Sequence, residues 1–177
     1  MSHRRKARAL GFLAASALLT SIAAAPAVAA PPAAQAAGTS EGGACLSLGS
    51  SEVQRGLRQI GPPLGRKDLH WVLRSKSNER SPWCPPLMWA AFDTSGGTGS
   101  SPVAVLLFRP GKYLGSAGKP TGFVSVTGST PLSVTVTYRW TNPGDANAFP
   151  TGGPVSSTYV GLWDSFVRFG QLPPRLG

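Results

Sequence analysis

The chain has 177 residues, of which 41% are hydrophobic, with 17 Lys and Arg against 7 Asp and Glu, two Cys and two His. This length predicts a single domain, and the apolar content is sufficient for a packed core. Two Cys and two His do not supply the ligands of a thiolate metal site, so no metal and no cofactor are expected. No second apolar run follows the first one, which excludes a multi-span membrane protein.

Residues 1–29 have the pattern of a cleavable signal peptide. Four basic residues lie between Arg4 and Arg8, residues 9–25 are uncharged and rich in Ala and Leu, and Ala27-Val28-Ala29 is a small-x-small cleavage motif. A retained membrane anchor is the alternative, but the stretch falls short of the ~20 strongly apolar residues of a span. We expect cleavage after Ala29 and a secreted protein, extracellular or associated with the cell wall.

The exported chain keeps 13 basic and 7 acidic residues, a formal charge of +6. Such a charge attracts anionic wall polymers or lipid head groups, although it also serves solubility. Nucleic acid is not an expected partner outside the cell. The first Cys after the apolar stretch is Cys45, too far downstream for a lipid anchor. Stable membrane insertion is therefore not expected, and the sequence leaves the oligomeric state open.

A tether and a helix come next in the chain. Residues 30–44 are rich in Ala, Pro and Gly without a hydrophobic period, which predicts a flexible tether before a domain at 45–177. Val53, Leu57 and Ile60 have helical spacing, and the following Gly-Pro-Pro ends the pattern. A short helix is expected over 50–60.

After Pro86 the sequence reads as β structure. Strands are predicted at residues 87–92, 103–108, 123–127, 132–140, 158–163 and 166–169. Strand 132–140 alternates, with Val134, Val136, Tyr138 and Trp140 on one face. Short Gly- and Pro-rich connections favour antiparallel neighbours. The prediction is an α+β fold, mostly β: an antiparallel sheet of about five to seven strands with one short N-terminal helix packed on it.

Several of these segments resemble one known family. They are Cys84, the loop 96–102, the segment Val105–Gly115, the strand 134–140 and the closing Gln171–Pro174. Together they are similar to the LppP/LprE family of actinobacterial envelope lipoproteins, over about residues 51–175. The resemblance implies an exported envelope domain and no agreed activity, so it carries over no catalytic residue. Members usually have a lipobox, which this chain lacks.

Cys45 and Cys84 are expected to form a disulfide. In an oxidising compartment two cysteines in a small domain usually pair. The alternative, a redox-active or metal-binding thiol, lacks a Cys-x-x-Cys motif or clustered His.

A hydrolase is one alternative function. Ser100 or Ser101 would be the nucleophile, His70 the base, and Asp68 or Asp93 its orienting acid. No Gly-x-Ser-x-Gly elbow is present, and a paired-carboxylate site is neither supported nor excluded. A protein inhibitor of a secreted enzyme, using loop 142–154, is another alternative.

The preferred interpretation is a non-catalytic secreted domain that binds an envelope component: an anionic glycan, a lipid or a protein. The proposed binding surface consists of Arg139, Arg109, Lys112, Tyr113, Thr135 and Thr137. Trp83 is expected to pack on the disulfide. Trp89, Trp140 and Trp163 are interpreted as core, with a stacking surface as the alternative.

Overall fold

The fold is taken from a computed structural model that describes residues 38–174. The predicted signal peptide, 1–29, and most of the predicted tether lie outside these residues. The elements are α1 (Ser51–Ile60), a 3-10 turn (Pro63–Gly65), β1 (Trp71–Lys76), β2 (Met88–Thr94), β3 (Val103–Arg109), β4 (Lys112–Ser116), β5 (Val124–Ser129), β6 (Ser133–Trp140), β7 (Gly152–Gly161) and β8 (Phe166–Gly170). None of the helices among residues 38–174 is long and apolar enough to cross a membrane.

The strands form two antiparallel sheets of four. Sheet 1 has the order β1-β2-β3-β4 and sheet 2 the order β5-β6-β7-β8. The mostly β class with one short helix is confirmed, whereas the single sheet of five to seven strands is wrong. β1 and β4 were not predicted because they are short and contain charged residues or glycine, which weakens any periodic signal.

The two sheets pack face to face around one hydrophobic cluster. Val105 and Leu107 of β3 contribute from sheet 1, and Val134, Val136 and Tyr138 of β6 contribute from sheet 2. The alternate residues of β3, Leu106 and Phe108, lie in a second cluster on the opposite face of sheet 1. Six consecutive apolar residues therefore occur in β3 because both of its faces are covered.

Helix α1 covers the outer face of sheet 1. Val53 is fully buried against it, and Gly56 brings the helix close because a Cβ there would lie 2.9 Å from Tyr113 Cε2. The helix begins after Ser50, whose hydroxyl donates to Ser47 O at 2.6 Å, and ends at Gly61 with φ +71°. Its predicted extent is confirmed to within one residue.

The predicted disulfide joins Cys45, just before α1, to Cys84, just before β2, with Cα atoms 5.4 Å apart. Residues 38–44, which were assigned to the tether, contact the domain. The Thr39 side chain is fully buried, and its hydroxyl accepts a hydrogen bond from Gly111 N at 3.0 Å. The packed domain therefore extends before the boundary predicted at Cys45.

Candidate binding cavity

A cavity of about 560 Å³ opens at one end of the two-sheet stack. This "Arg139 cavity" lies where β6 ends, beside the loops that precede β5 and follow β6 and β8. Its lining includes Ser100, Phe123, Arg139, Trp140, Asn142 and Asn147. A guanidinium, two aromatic rings and two amides thus border one space, a combination of polar and apolar groups that can hold a polar ligand.

The Trp140 indole lies directly on the backbone of β7. A Cβ added at Gly152 would overlap the indole ring, and one added at Gly153 would lie 3.0 Å from its Cζ3. Only glycine fits beneath the ring at Gly152. One side of the half-buried indole is therefore fixed by backbone, while the ring also lines the cavity.

Phe123 has a backbone conformation that is unusual for a side chain of its size. Its φ is +55°, in the left-handed region. Its N–H donates to Gly99 O at 3.3 Å, and its carbonyl accepts from Arg139 N at 3.1 Å. Non-glycine residues held in this region cluster at functional sites, where the surroundings enforce the conformation. Here the enforced conformation places Phe123 in the cavity wall, immediately before β5 and hydrogen-bonded to the Arg139 backbone.

Arg139 is exposed and points from the outer face of sheet 2. The acids among the described residues make no ion pair with it, whereas Arg55, Arg66, Arg74 and Arg109 each pair with a carboxylate. A guanidinium without an internal partner can bind a ligand carboxylate or phosphate through two parallel hydrogen bonds.

Asp145 organises the loop that carries Asn142 and Asn147. Its carboxylate accepts from Asn142 N at 2.7 Å, from Thr151 N at 2.8 Å and from Thr151 Oγ1 at 2.9 Å. The hydrogen bonds from the Thr151 and Asn142 backbone hold the pKa of Asp145 below its usual value. The carboxylate therefore stays ionised and cross-links both ends of this loop.

A row of hydroxyls runs along β6 from the cavity. Thr137 Oγ1 lies 2.9 Å from Thr127 Oγ1 and 2.8 Å from Ser156 Oγ, and Thr135 Oγ1 lies 3.0 Å from Thr158 Oγ1. Thr135, Thr137 and Arg139 alternate along one strand, so they share the outer face. The structure thus places three of the six predicted surface residues on one face of β6, and one of them, Arg139, lines the cavity.

Comparison with protein families gives one match, to the central part of the chain. Residues 82–163 match the model of the LppP/LprE lipoprotein family. The resemblance predicted from the sequence is confirmed over these residues, and it indicates an envelope-associated protein. Comparisons with curated proteins and with solved structures found no match.

The LppP/LprE segment runs from just before the disulfide Cys84 to the end of β7, so it contains both sheets' central strands. Phe123, Arg139 and Trp140 lie inside it, as does the Asp145 loop. Helix α1 and strand β8 lie outside it, as do Pro173 and Pro174, which also line the cavity.

The other three predicted surface residues lie elsewhere. Arg109 and Lys112 are at the β3–β4 turn, where Arg109 Nη2 and Lys112 Nζ contact Asp164 Oδ1 at 2.9 and 3.4 Å. Tyr113 is only 5% exposed, so its assignment to the binding surface is wrong. Its ring packs on Phe108 and under the Arg55 guanidinium, because β4 turns this side chain towards α1.

The residues of the hydrolase alternative are engaged in other contacts. Asp68 pairs with Arg66 at 2.6 Å and Asp93 with Arg74 at 2.5 Å, so both candidate orienting acids have arginine partners. Ser101 Oγ accepts from Thr98 N at 2.8 Å, and Ser100 Oγ lies 3.2 Å from Thr98 Oγ1. No hydrogen bond within 38–174 joins His70 to either serine.

Two of the tryptophan predictions are wrong. Trp163, interpreted as core, is 90% exposed, and Trp83, expected to pack on the disulfide, is 84% exposed. Both lie in turns outside the strands, where no neighbouring strand covers them. The sequence analysis also missed Phe123 and Asn147 as cavity residues, since nothing in their local pattern marks them.

Proposed function

We propose that this envelope-associated domain binds an acidic polysaccharide, with one anionic sugar unit held in the Arg139 cavity. The observation that carries the proposal is the juxtaposition of an exposed Arg139, without a carboxylate partner among the described residues, and the immobilised Trp140 ring in one cavity.

Each group in the cavity matches a part of such a ligand. The C–H face of a pyranose ring can pack on the aromatic surfaces of Trp140 and Phe123. The Asn142 and Asn147 amides can exchange hydrogen bonds with sugar hydroxyls, and Arg139 can pair with a uronate or phosphate group. Because Trp140 already rests on the Gly152 backbone, little side-chain freedom is lost on binding.

The hydroxyl row favours a polymer over a single sugar. Thr137 and Thr135 continue the face that starts at Arg139, with Ser156 and Thr158 beside them. A chain that enters the cavity can therefore continue along β6 and form further hydrogen bonds. The +6 charge of the exported chain would assist the approach of such a polyanion.

The test is a calorimetric titration with two oligosaccharides of equal length, a hyaluronan hexasaccharide and the neutral chitohexaose. We expect the hyaluronan fragment to bind about tenfold or more tightly at low salt, and added salt to reduce this difference. Arg139→Ala should abolish the preference, and Trp140→Phe should weaken binding of both sugars.

Arg58→Ala is the matched control. Arg58 is exposed on α1, lies on the opposite side of sheet 1 from sheet 2, and its replacement removes the same charge. It should leave binding unchanged. Equal losses in Arg58→Ala and Arg139→Ala, or no binding of the hyaluronan fragment, would contradict the proposal.

A further inference from the structure

We propose that the opposite end of the two-sheet stack is a docking surface for a lipid bilayer, with Trp83 and Trp163 inserted among the head groups. This "Trp163 end" is formed by Trp83, Leu132, Leu162 and Trp163. The proposal is independent of glycan binding in the Arg139 cavity, because the two places lie at opposite ends of β6.

The strand register establishes that separation. Trp140, in the Arg139 cavity, pairs with Gly152 at the start of β7, whereas Ser133 pairs with Val160 near its end. Leu132 immediately precedes β6, and Leu162 and Trp163 immediately follow β7. These apolar side chains therefore lie one full strand length from the Arg139 cavity.

The Trp163 end exposes four large apolar side chains to solvent. Trp163 is 90% exposed, Trp83 84%, Leu132 55% and Leu162 48%. Leu132, Leu162 and Trp163 border a groove of about 450 Å³ that also contacts Cys84 and Pro110. Trp83 immediately precedes Cys84 of this groove. Exposed apolar surface of this extent on a free monomer marks an interaction site.

Tryptophan makes a bilayer the best-fitting partner. The indole has an apolar body and one N–H donor, and it concentrates where membrane hydrocarbon meets water. Here two such rings extend from separate turns, with leucines beside one of them.

Charge at this end also suits an anionic bilayer, though modestly. Arg80, Arg109 and Lys112 lie near the patch, against Glu79 and Asp164. Arg80 O accepts from Trp83 N at 3.1 Å, so this exposed cation belongs to the same turn as the ring. Anionic lipid should thus strengthen binding, while the apolar side chains supply most of it.

The experiment measures cosedimentation of the exported protein with vesicles of phosphatidylcholine, with and without phosphatidylglycerol. The wild type should bind both, and the anionic vesicles more tightly. Trp163→Ala and Trp83→Ala should each lower the partition coefficient about tenfold. Vesicles with brominated acyl chains should quench the wild-type tryptophan fluorescence and quench that of Trp163→Ala less.

Phe149→Ala is the control, because Phe149 is an exposed aromatic (76%) in the loop at the Arg139 end. It should bind vesicles like the wild type. Every variant carries the same N-terminal sequence, so that sequence cannot cause a difference between them. Absence of vesicle binding, equal binding by Trp163→Ala and the wild type, or a Trp163-dependent dimer in place of vesicle binding would overturn the proposal.

Discussion

The hydroxyl of Tyr138 lies 2.9 Å from the hydroxyl of Tyr159 in the core between the sheets. The Tyr138 hydroxyl also donates to Ala117 O at 2.8 Å. A carbonyl oxygen can only accept, so the Tyr138 proton is committed to Ala117 and Tyr159 must donate to Tyr138. These two hydrogen bonds link β6 and β7 of sheet 2 to the segment that follows β4 of sheet 1.

The direction of these bonds predicts unequal effects of two similar substitutions. Tyr138→Phe leaves the Tyr159 hydroxyl and Ala117 O without partners in the core, which should lower the free energy of unfolding by about 2 kcal/mol or more. Tyr159→Phe leaves Tyr138 bonded to Ala117 and should cost about 1 kcal/mol. Urea denaturation measures both values. A larger cost for Tyr159→Phe would mean that the donor order is reversed.

All three tyrosines of the chain should resist ionisation in the folded protein. Tyr113, Tyr138 and Tyr159 are at most 5% exposed, and burial raises the pKa of each above the ordinary 10.0. The folded state therefore keeps protons that the unfolded state loses. The protonated tyrosines therefore contribute their full stabilisation below pH 10, and the free energy of unfolding decreases as the pH rises above 10. Tyrosinate absorbance should appear together with the loss of circular dichroism; its appearance in a folded protein near pH 10 would refute the prediction.

Gly56 should be better than alanine in α1, despite its poor helix propensity. Alanine gains ~1 kcal/mol in propensity, but its Cβ would lie 2.9 Å from the Tyr113 ring and 3.1 Å from Leu106 Cδ1. Overpacking of this kind costs about 1–3 kcal/mol, so a net loss of stability is expected. Gln59→Ala, at an exposed position of the same helix, should change stability by less than about 0.5 kcal/mol. Stabilisation by Gly56→Ala would show that the helix can move away from sheet 1.

The two faces of β6 should respond differently to truncation. Val136 is fully buried, so Val136→Ala should cost about 2 kcal/mol through the cavity it leaves. Arg139→Ala should cost less than about 0.5 kcal/mol, since the side chain is exposed. Denaturant midpoints of the two variants compare these costs directly. A silent Val136→Ala together with an unfolded Arg139→Ala would reverse the assigned faces.

The Asp145 loop should loosen in acid. The pKa of Asp145 is lowered in the folded state, chiefly by the Thr151 N–H, so its stabilising effect is present above the usual carboxyl range and is lost as the pH falls through the lowered pKa. The Thr151 amide proton should report this change in an NMR pH titration. In Asp145→Ala, the Thr151 amide proton should already have, at neutral pH, the chemical shift that the wild type reaches only in acid. An unchanged Thr151 signal in that variant would show that the loop does not depend on the carboxylate.

Local pattern predicted most of the elements but not their assembly. The alternation in β6 correctly placed Val134, Val136 and Tyr138 inside and Arg139 outside. Trp140 at the end of the strand is half-buried: the register shifts between Tyr138 and Trp140, and the ring lies against the Gly152 backbone. The run in β3 indicated burial on both faces, but no periodicity could say that a second sheet covers one of them.

The candidate site was predictable only where it lies on a strand. Arg139, Thr135 and Thr137 follow from the alternation of β6, whereas Phe123 and Asn147 come from loops that only the tertiary structure brings to the cavity. The exposure of Trp83 and Trp163 could not be predicted either, because the local sequence does not distinguish an exposed tryptophan in a turn from a buried one in a strand. The burial of a side chain depends on its tertiary contacts, and the residues that make those contacts are remote in sequence.

The strand order within the sheets has a consequence for how the chain folds. Each sheet is a meander in which every strand pairs with its neighbours in sequence, and sheet 1 is complete by Ser116, before β5 begins. Strand pairing within each sheet therefore closes only short loops. The entropic barrier to forming a sheet is lower than in a sandwich whose strands pair over long sequence separations. We expect the two halves to form as separate cooperative units as the chain emerges, and the rate-limiting step to be their docking through the Tyr138–Tyr159 layer.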